Sequence, residues 1–121
     1  MKRILVVEDN EYNLYLIRFM MEKHGYHVIE AREGMQGVEL AIKEKPDLIL
    51  MDVQLPDING LEAVRRIRSS EIDTKIPIIA LTSYAMAGDR EKALAAGCTS
   101  YIAKPIDPDT FMAEIEKFLA P

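Results

Sequence analysis

The sequence is short of cysteine, of long apolar runs and of positive charge, and each shortage excludes a class of protein. Cys98 is the single cysteine and cannot form a disulfide within the chain, which fits a reducing cytoplasm. No apolar run reaches about 18 residues and no basic leader precedes one, so neither a membrane span nor a signal peptide is expected. The net charge of −5 has the wrong sign for a protein that binds nucleic-acid backbones directly.

The sequence does contain alternating apolar and amphipathic segments along its whole length. With 121 residues, 49% hydrophobic and 29% charged, its composition predicts a single soluble domain over residues 1–121. The predicted strands are Ile4–Val7, His27–Ala31, Leu48–Asp52, a fourth opened by Pro77 and ending at Thr82, and Tyr101–Ala103. The predicted helices are Glu11–Lys23, Met35–Glu44, Leu61–Ser69, Ala85–Ala96 and a last one capped by Asp107 and Pro108. The residues expected to face inward on the second and last helices are Val38, Ala41, Ile42, Phe111, Ile115, Phe118 and Leu119.

Strict alternation of strand and helix predicts an α/β fold. The connections should be right-handed crossovers, which gives a doubly wound five-stranded parallel sheet of the flavodoxin-like (βα)5 type. The strand order 2-1-3-4-5 suits this length and puts the switch point between the first and third strands. Ligands of such sheets bind at the carboxyl edge, so the residues that end these strands are the candidates for a functional site.

Polar residues stand where four of the predicted strands end. Glu8 and Asp9 follow the first strand, Asp52 ends the third, Thr82 ends the fourth, and Lys104 follows the fifth. Carboxylates at one edge of a sheet can hold a divalent cation, and a lysine and a hydroxyl can hold an anion beside it. This combination predicts a site that handles phosphoryl groups.

A single aspartate at a strand end is often only a turn residue, but three acidic residues together need another explanation. Two carboxylates about 4 Å apart repel by roughly 4 kcal/mol at an effective dielectric of about 20. A fold keeps such a cluster only if a cation, a proton or Lys104 offsets it. A small set of oxygen ligands suits Mg²⁺. Neither histidine joins the cluster and no calcium-loop spacing is present, so zinc and calcium-sensor sites are not expected.

Asp52 is the candidate nucleophile, because an aspartate can accept a phosphoryl group as an acyl phosphate. A metal, the Lys104 ammonium and the Thr82 hydroxyl with loop amides would hold the phosphoryl oxygens. A hydrolase of this type uses a second acid two residues after the nucleophile, where this chain has Gln54. The acyl phosphate should therefore persist, as a signal does. An aspartyl-phosphate hydrolase and an FMN-binding flavodoxin are the rival hypotheses, although carboxylates in the first loop would repel the flavin phosphate.

Taken in order, these motifs resemble the response-regulator receiver family from end to end. The matching motifs are Val7-Glu8-Asp9-Asn10, Met51-Asp52, Leu55-Pro56 with Gly60, Ala80-Leu81-Thr82-Ser83, and Lys104-Pro105. Each motif is weak alone, but five in order are specific. The Glu-Asp-Asn-Glu opening and the lack of an output domain are similar to DivK-type single-domain regulators and to receivers of hybrid sensor kinases. Met1 favours a free-standing regulator, and a receiver cut from a hybrid kinase is the alternative.

The resemblance implies a phosphoacceptor and a metal site. Asp52 would be the phosphoacceptor, and Asp9 and Asp52 would bind Mg²⁺ together with the backbone carbonyl of Gln54. Glu8 would act on the metal directly or through water, and Mn²⁺ could replace Mg²⁺. Water would have to pass Gln54 and Tyr84 to reach the phosphorus, so the phosphorylated state should be long-lived.

The resemblance also implies a switch beside the acceptor. Lys104 would pair with the phosphoryl group, and the Lys104–Pro105 peptide bond would be cis. Thr82 and Ser83 would bind phosphoryl oxygens, with the Thr82 hydroxyl drawn toward them. Tyr101 would be the coupled aromatic residue, and the alternative is that it is a fixed core residue.

The implied function is a phosphorylation-activated signalling switch in a two-component or phosphorelay system in the cytoplasm. The phosphodonor would be a sensor histidine kinase or a histidine phosphotransfer protein. A downstream protein would bind the face of the fourth helix, fifth strand and fifth helix, with neither direct nucleic-acid binding nor membrane insertion. The chain would promote its own phosphorylation and a slow autodephosphorylation without being a conventional enzyme. It would act as a monomer or a weak dimer.

Overall fold

The computed structural model describes residues 1–70, 75–83 and 88–119, in which strands and helices alternate. The strands are β1 Arg3–Val7, β2 His27–Ala31, β3 Leu48–Asp52, β4 Ile78–Thr82 and β5 Ser100–Ala103. The helices are α1 Glu11–Lys23, α2 Gly34–Glu44, α3 Gly60–Ser69, α4 Asp89–Ala96 and α5 Phe111–Glu116. No helix in these ranges is long and apolar enough to cross a membrane.

The five strands form one parallel sheet in the order β2-β1-β3-β4-β5, which confirms the predicted doubly wound topology. Val7 at the end of β1 pairs with Met51 of β3. Asp52 pairs with Leu81 of β4, and Thr82 pairs with Ala103 of β5. The register therefore brings the carboxyl ends of the four strands into one row.

The core consists of two apolar layers, one on each face of the sheet. Strands β3 and β4 are buried along their whole length, as expected for the central strands of a parallel sheet covered by helices on both sides. Beneath α2, α3 and α4 the sheet contributes Leu5, Val7, Ile49, Met51, Ile78 and Ala80. Beneath α1 and α5 it contributes Ile4, Val6, Leu48, Leu50, Ile79 and Leu81.

The inward direction predicted for Ile42 on α2 is wrong, because its side chain is 42% exposed. The predicted inward positions of Val38 and Ala41 are confirmed, and Gly34 and Gly37 complete the row that the helix turns toward the sheet. A Cβ atom at Gly37 would lie 2.7 Å from Cγ2 of Val7, so the helix backbone rests directly on β1. This close approach fixes the rotation of the helix and leaves Ile42 at the edge of the contact.

The start of α5 also differs from the prediction. Asp107 caps a turn that leads into the helix: its Oδ1 accepts the N–H of Asp109 at 3.0 Å, and its carbonyl accepts the N–H groups of Thr110 and Phe111. The helix itself begins at Phe111, and Phe118 lies half-buried in the turn that follows it.

The fourth helix, predicted from Ala85, is seen from Asp89 onward, after Gly88 in a left-handed conformation (φ 95°). Residues 84–87 lie outside the described part of the chain, so the predicted first residues of this helix and the expectation for Tyr84 fall there.

Candidate functional site

An acidic cluster lies where β1 and β3 end. Glu8 directly follows β1 and is fully buried, Asp52 ends β3 with 1% exposure, and Asp9 is exposed. Each of the three carboxylates offers an oxygen within 4.8 Å of the others. The neighbouring positions of β1 and β3 in the sheet produce this cluster, as the sequence predicted.

Lys104 supplies a positive charge to the two buried members of the cluster. Its Nζ atom lies 3.0 Å from Oε2 of Glu8 and 3.0 Å from Oδ2 of Asp52. One ammonium is thus shared by two buried carboxylates. Within the described residues, Asp9 forms no ion pair and is the third acidic group of the site. The lysine offsets only part of the negative charge.

The pKa values reflect this incomplete compensation. Burial, and then the charge of Asp52, raise the pKa of Glu8 above its ordinary value even though Lys104 opposes the shift. Burial alone would lower the pKa of Lys104, but its hydrogen bonds and charge attraction to Glu8 and Asp52 outweigh burial and raise it. Lys104 is therefore charged at neutral pH, and the site favours one further proton or cation.

A buried oxygen of Glu8 gives a second indication that a cation fits here. Among the described residues, Oε2 of Glu8 accepts no hydrogen bond of good geometry, although Lys104 Nζ is 3.0 Å away. A buried carboxylate oxygen without a donor is costly unless an ion satisfies it. The donor set is all oxygen and small, which suits Mg²⁺ more than a soft transition metal.

Local backbone contacts fix the position of Asp52. Its Oδ1 atom accepts the N–H of Gln54 at 3.0 Å. The N–H of Gly60 binds the carbonyl of Val53 at 2.9 Å, so the chain doubles back onto the end of β3. A Cβ atom at Gly60 would lie 2.0 Å from the carbonyl oxygen of Asp52, and only glycine permits this approach.

Thr82 and Ser83 stand at the neighbouring end of β4. Thr82 is buried, its carbonyl accepts the N–H of Lys104 at 2.7 Å, and Ser83 is exposed beside it. The Lys104–Pro105 peptide bond is cis, as the resemblance implies. The structure therefore brings the predicted hydroxyl and lysine to the same edge as the carboxylates.

Tyr101 lies half-buried beside a cavity of about 180 Å³ under α4. Tyr101 pairs with Ala80 in the sheet, two residues before Thr82, so its ring is on the face that carries Thr82. The cavity is lined by Val53, Asn59, Leu61, Ala80, Thr82, Asp89, Lys92, Ala93 and Tyr101. Space for a moving side chain thus lies next to both Thr82 and Tyr101.

Comparison with known proteins identifies the class of this site. The family model described as the response regulator receiver domain matches residues 4–116. The chain belongs to the response-regulator receiver family. The polar-differentiation response regulator DivK of Brucella ovis is 43% identical over 118 residues, covering 98% of this chain and 96% of that protein.

Solved receiver domains share the fold of this receiver closely. The receiver domain of the sensor histidine kinase PA1611 from Pseudomonas aeruginosa, solved with a magnesium ion coordinated in its active site cleft, has a TM-score of 0.90 and 39% identity, covering 99% of this chain and 98% of that one. The BeF3-activated N-terminal receiver domain of Klebsiella pneumoniae RstA has a TM-score of 0.88 and 30% identity, covering 98% and 99%.

These relationships confirm the predicted function at the level of the family. The protein is a DivK-like receiver of the two-component type, a phosphorylation-activated signalling switch. Receivers of this family are phosphoacceptor signalling domains and not conventional enzymes, and they bind Mg²⁺ at an acidic pocket. They interact with sensor kinases and downstream partners. The hydrolase and flavodoxin hypotheses are thereby set aside.

Two features of this receiver were missed in the sequence. The Asp57 carboxylate accepts the N–H groups of Gly34 and Met35 at the start of α2, a contact that no local sequence pattern indicates.

On α1, the side chains of Tyr12, Tyr15 and Phe19 are exposed, with the rings of Tyr15 and Phe19 stacked 6.4 Å apart. Their spacing outside the buried stripe of the helix was a readable signal for this aromatic surface.

Proposed function

We propose that this receiver accepts a phosphoryl group on Asp52 from a phosphohistidine of a sensor kinase or a histidine phosphotransfer protein. The observation that carries the proposal is the position of the Asp52 carboxylate. It ends β3, with acidic oxygens within 4.8 Å and the Lys104 ammonium 3.0 Å from its Oδ2 atom. Glu8 has the same two kinds of neighbour, and what favours Asp52 is its place at the end of β3, which matches the acceptor position of the receiver family.

Asp9, Asp52 and the backbone carbonyl of Gln54 would hold Mg²⁺, with Glu8 acting directly or through water, and Mn²⁺ would substitute. The close carboxylates and the unsatisfied Oε2 atom of Glu8 support this assignment. The magnesium ion in the PA1611 receiver supports it by similarity. When bound, the cation would neutralise charge on the phosphoryl oxygens.

In the transfer step, a carboxylate oxygen of Asp52 attacks phosphorus while the bond from phosphorus to the donor imidazole nitrogen breaks. The imidazole leaves with the electron pair of that bond, and the product is an acyl phosphate on Asp52. The Lys104 ammonium, already bound to Asp52 and Glu8, would follow the new phosphoryl oxygens. The Thr82 hydroxyl and Ser83 would bind the remaining oxygen.

Hydrolysis of the acyl phosphate on Asp52 should be slow. Gln54, two residues beyond Asp52, is not an acid that could activate water. The backbone N–H of Gln54 donates a hydrogen bond to Oδ1 of Asp52 at 3.0 Å. The chain would therefore promote its own phosphorylation and only a slow autodephosphorylation.

The signal would be carried to the α4-β5-α5 face by Thr82 and Tyr101. A phosphoryl group adds nearly two negative charges beside Thr82, and its hydroxyl would turn toward them. The cavity of about 180 Å³ shared by Thr82 and Tyr101 gives the tyrosine ring an inward position. A downstream protein would bind the altered face in the cytoplasm, where this chain acts as a monomer or weak dimer without touching nucleic acid or membrane.

Intact-mass spectrometry after incubation with Mg²⁺ and acetyl phosphate tests the proposal. The wild-type chain should gain the mass of one phosphoryl group, and chelation of Mg²⁺ should prevent the gain. Asp52→Asn should gain nothing. Full labelling of Asp52→Asn at the wild-type rate would contradict the assignment.

A further inference from the structure

A tether joins the loop after the acceptor to the start of α2. Oδ1 of Asp57 accepts the N–H of Gly34 at 2.7 Å, and Oδ2 accepts the N–H of Met35 at 2.9 Å. Both amides belong to the first turn of the helix, where N–H groups have no partner within the helix. One side chain from a loop thus satisfies two amides of another element, 23 and 22 residues away in sequence.

The helix depends on this tether because it lacks a cap of its own. Glu33 occupies the position before Gly34 with an extended backbone, and its side chain makes no capping hydrogen bond. Burial opposes ionisation of Asp57, but the amide hydrogen bonds from Met35 and Gly34 outweigh it and lower the pKa of the carboxyl. Asp57 is therefore a carboxylate at neutral pH, and its bonds to the amides are charge-assisted.

The loop and the helix are also in direct steric contact. A Cβ atom at Gly34 would lie 2.5 Å from Cγ1 of Ile58 and 3.3 Å from Oδ1 of Asp57. The far end of the loop is fixed separately, since Oδ1 of Asn59 accepts the N–H of Leu61 at 2.8 Å and Gly60 bonds to Val53. The segment 53–60 is thus held at both ends.

Between these fixed points lies Gln54, whose backbone carbonyl is assigned to the cation under the proposed function. A side-chain ligand can adjust by changing rotamer, but a backbone carbonyl is placed only by the path of its chain. Asp57 follows Gln54 by three residues and fixes that path against a rigid helix. The Asp57 tether therefore acts on the Gln54 carbonyl, which is the metal ligand with the least freedom to adjust its position.

We propose that Asp57 is a positioning residue for the phosphoacceptor site, which holds the Gln54 carbonyl in place by binding the loop to α2. The inference rests on the proposed function of Asp52 and its cation. Loss of a group that orients a metal ligand typically weakens metal binding by about tenfold or more. Asp57→Ala should therefore raise the dissociation constant for Mg²⁺ about tenfold and slow phosphorylation by acetyl phosphate in parallel.

The rival explanation is that Asp57 only caps α2, and the chain offers a variant that separates the two roles. Aspartate is a good residue at a helix N-cap position, so Glu33→Asp would give α2 a local cap. Combined with Asp57→Ala, it should recover melting temperature without restoring the link to the loop. Glu33→Ala is the matched control, because it removes a carboxylate from the same helix end that makes no capping bond.

Calorimetric titration with Mg²⁺, well below the melting temperatures, decides between the explanations. We expect weakened Mg²⁺ binding in Asp57→Ala and in the double variant, and wild-type binding in Glu33→Ala. Unchanged binding in Asp57→Ala, or recovered binding in the double variant, would overturn the positioning role. If the wild-type protein neither binds Mg²⁺ nor is labelled on Asp52, the proposed function is wrong and the inference is wrong with it.

Hydrogen exchange provides a second measurement that does not depend on recovery of the melting temperature. In Asp57→Ala, amides of residues 53–55 should exchange faster while residues 38–44 of α2 keep their protection. Loss of protection through α2 with an unchanged loop would show a cap and nothing more, and would overturn the inference.

Discussion

Replacing Lys104 by methionine tests how the acidic cluster is held in the folded protein. The substitution keeps most of the aliphatic side chain and removes the ammonium that lies 3.0 Å from both Glu8 and Asp52. Two buried carboxylates would then face each other without a counter-charge. The structure therefore predicts that replacing this one lysine causes a large loss of stability.

The magnitude follows from the geometry. Each contact of 3.0 Å is worth about 5 kcal/mol of attraction at an effective dielectric of about 20, before desolvation is subtracted. Breaking a buried ion pair by removing one partner costs about 3–5 kcal/mol. We expect the lower end, because Glu8 can take up a proton. At roughly 4 °C for each kcal/mol, Lys104→Met should melt about 12 °C below the wild type.

The loss should depend on pH. Because the pKa of Glu8 is raised in the folded protein, its folded form binds a proton more tightly than the unfolded chain does. The stability from this group is present below its ordinary pKa of 4.5 and is lost as pH rises through the raised value. Lys104→Met should thus be less destabilising near pH 5 than near pH 8.

Thermal unfolding followed by circular dichroism measures these effects. Lys117→Met, which removes an exposed lysine, is the control and should melt as the wild type does. Asp52→Asn combined with Lys104→Met should recover much of the loss, and saturating Mg²⁺ should stabilise Lys104→Met more than the wild type. If Lys104→Met melts at the same temperature as the Lys117→Met control, Lys104 does not stabilise the acidic cluster.

Three other predictions concern single residues. Asp9→Ala should weaken Mg²⁺ binding yet raise the melting temperature without Mg²⁺, by roughly 4 °C for each kcal/mol of repulsion removed; a clear fall would show that Lys104 already neutralises the cluster. Beryllofluoride should shift the NMR resonances of the Tyr101 ring, and unchanged resonances would show that Tyr101 is a fixed core residue. Burial raises the pKa of the Cys98 thiol to about 11, so the native protein should resist iodoacetamide at neutral pH, whereas rapid alkylation would contradict its burial.

The sequence predicted the fold well because β1, β3 and β4 are continuous apolar runs followed or ended by polar residues. Leu48–Asp52 is buried on both faces, and the sequence indicates this because apolar and polar residues do not alternate along the strand. Once strand order was assigned from length and alternation, Glu8 and Asp52 had to meet at one edge. The acidic site could therefore be predicted from strand ends alone.

What the sequence did not reveal depends on contacts between distant segments. Asp57 is an ordinary turn residue by pattern, and only the folded chain shows that its carboxylate caps α2. Ile42 fits a helical stripe as well as its neighbours do, but the contact of Gly37 with Val7 decides the rotation of α2. Such choices are set by packing, which local periodicity does not encode.

Locating the phosphoryl group on the chain tests whether Asp52 is the phosphoacceptor. The receiver would be labelled by a phosphorylated histidine kinase or acetyl phosphate with Mg²⁺, reduced with borohydride to mark acyl phosphates, and digested for mass spectrometry. We expect the mark at position 52 of the wild-type protein and none in Asp52→Asn. A mark at Asp9 or Glu8 in the wild-type protein, with position 52 unmodified, would contradict it.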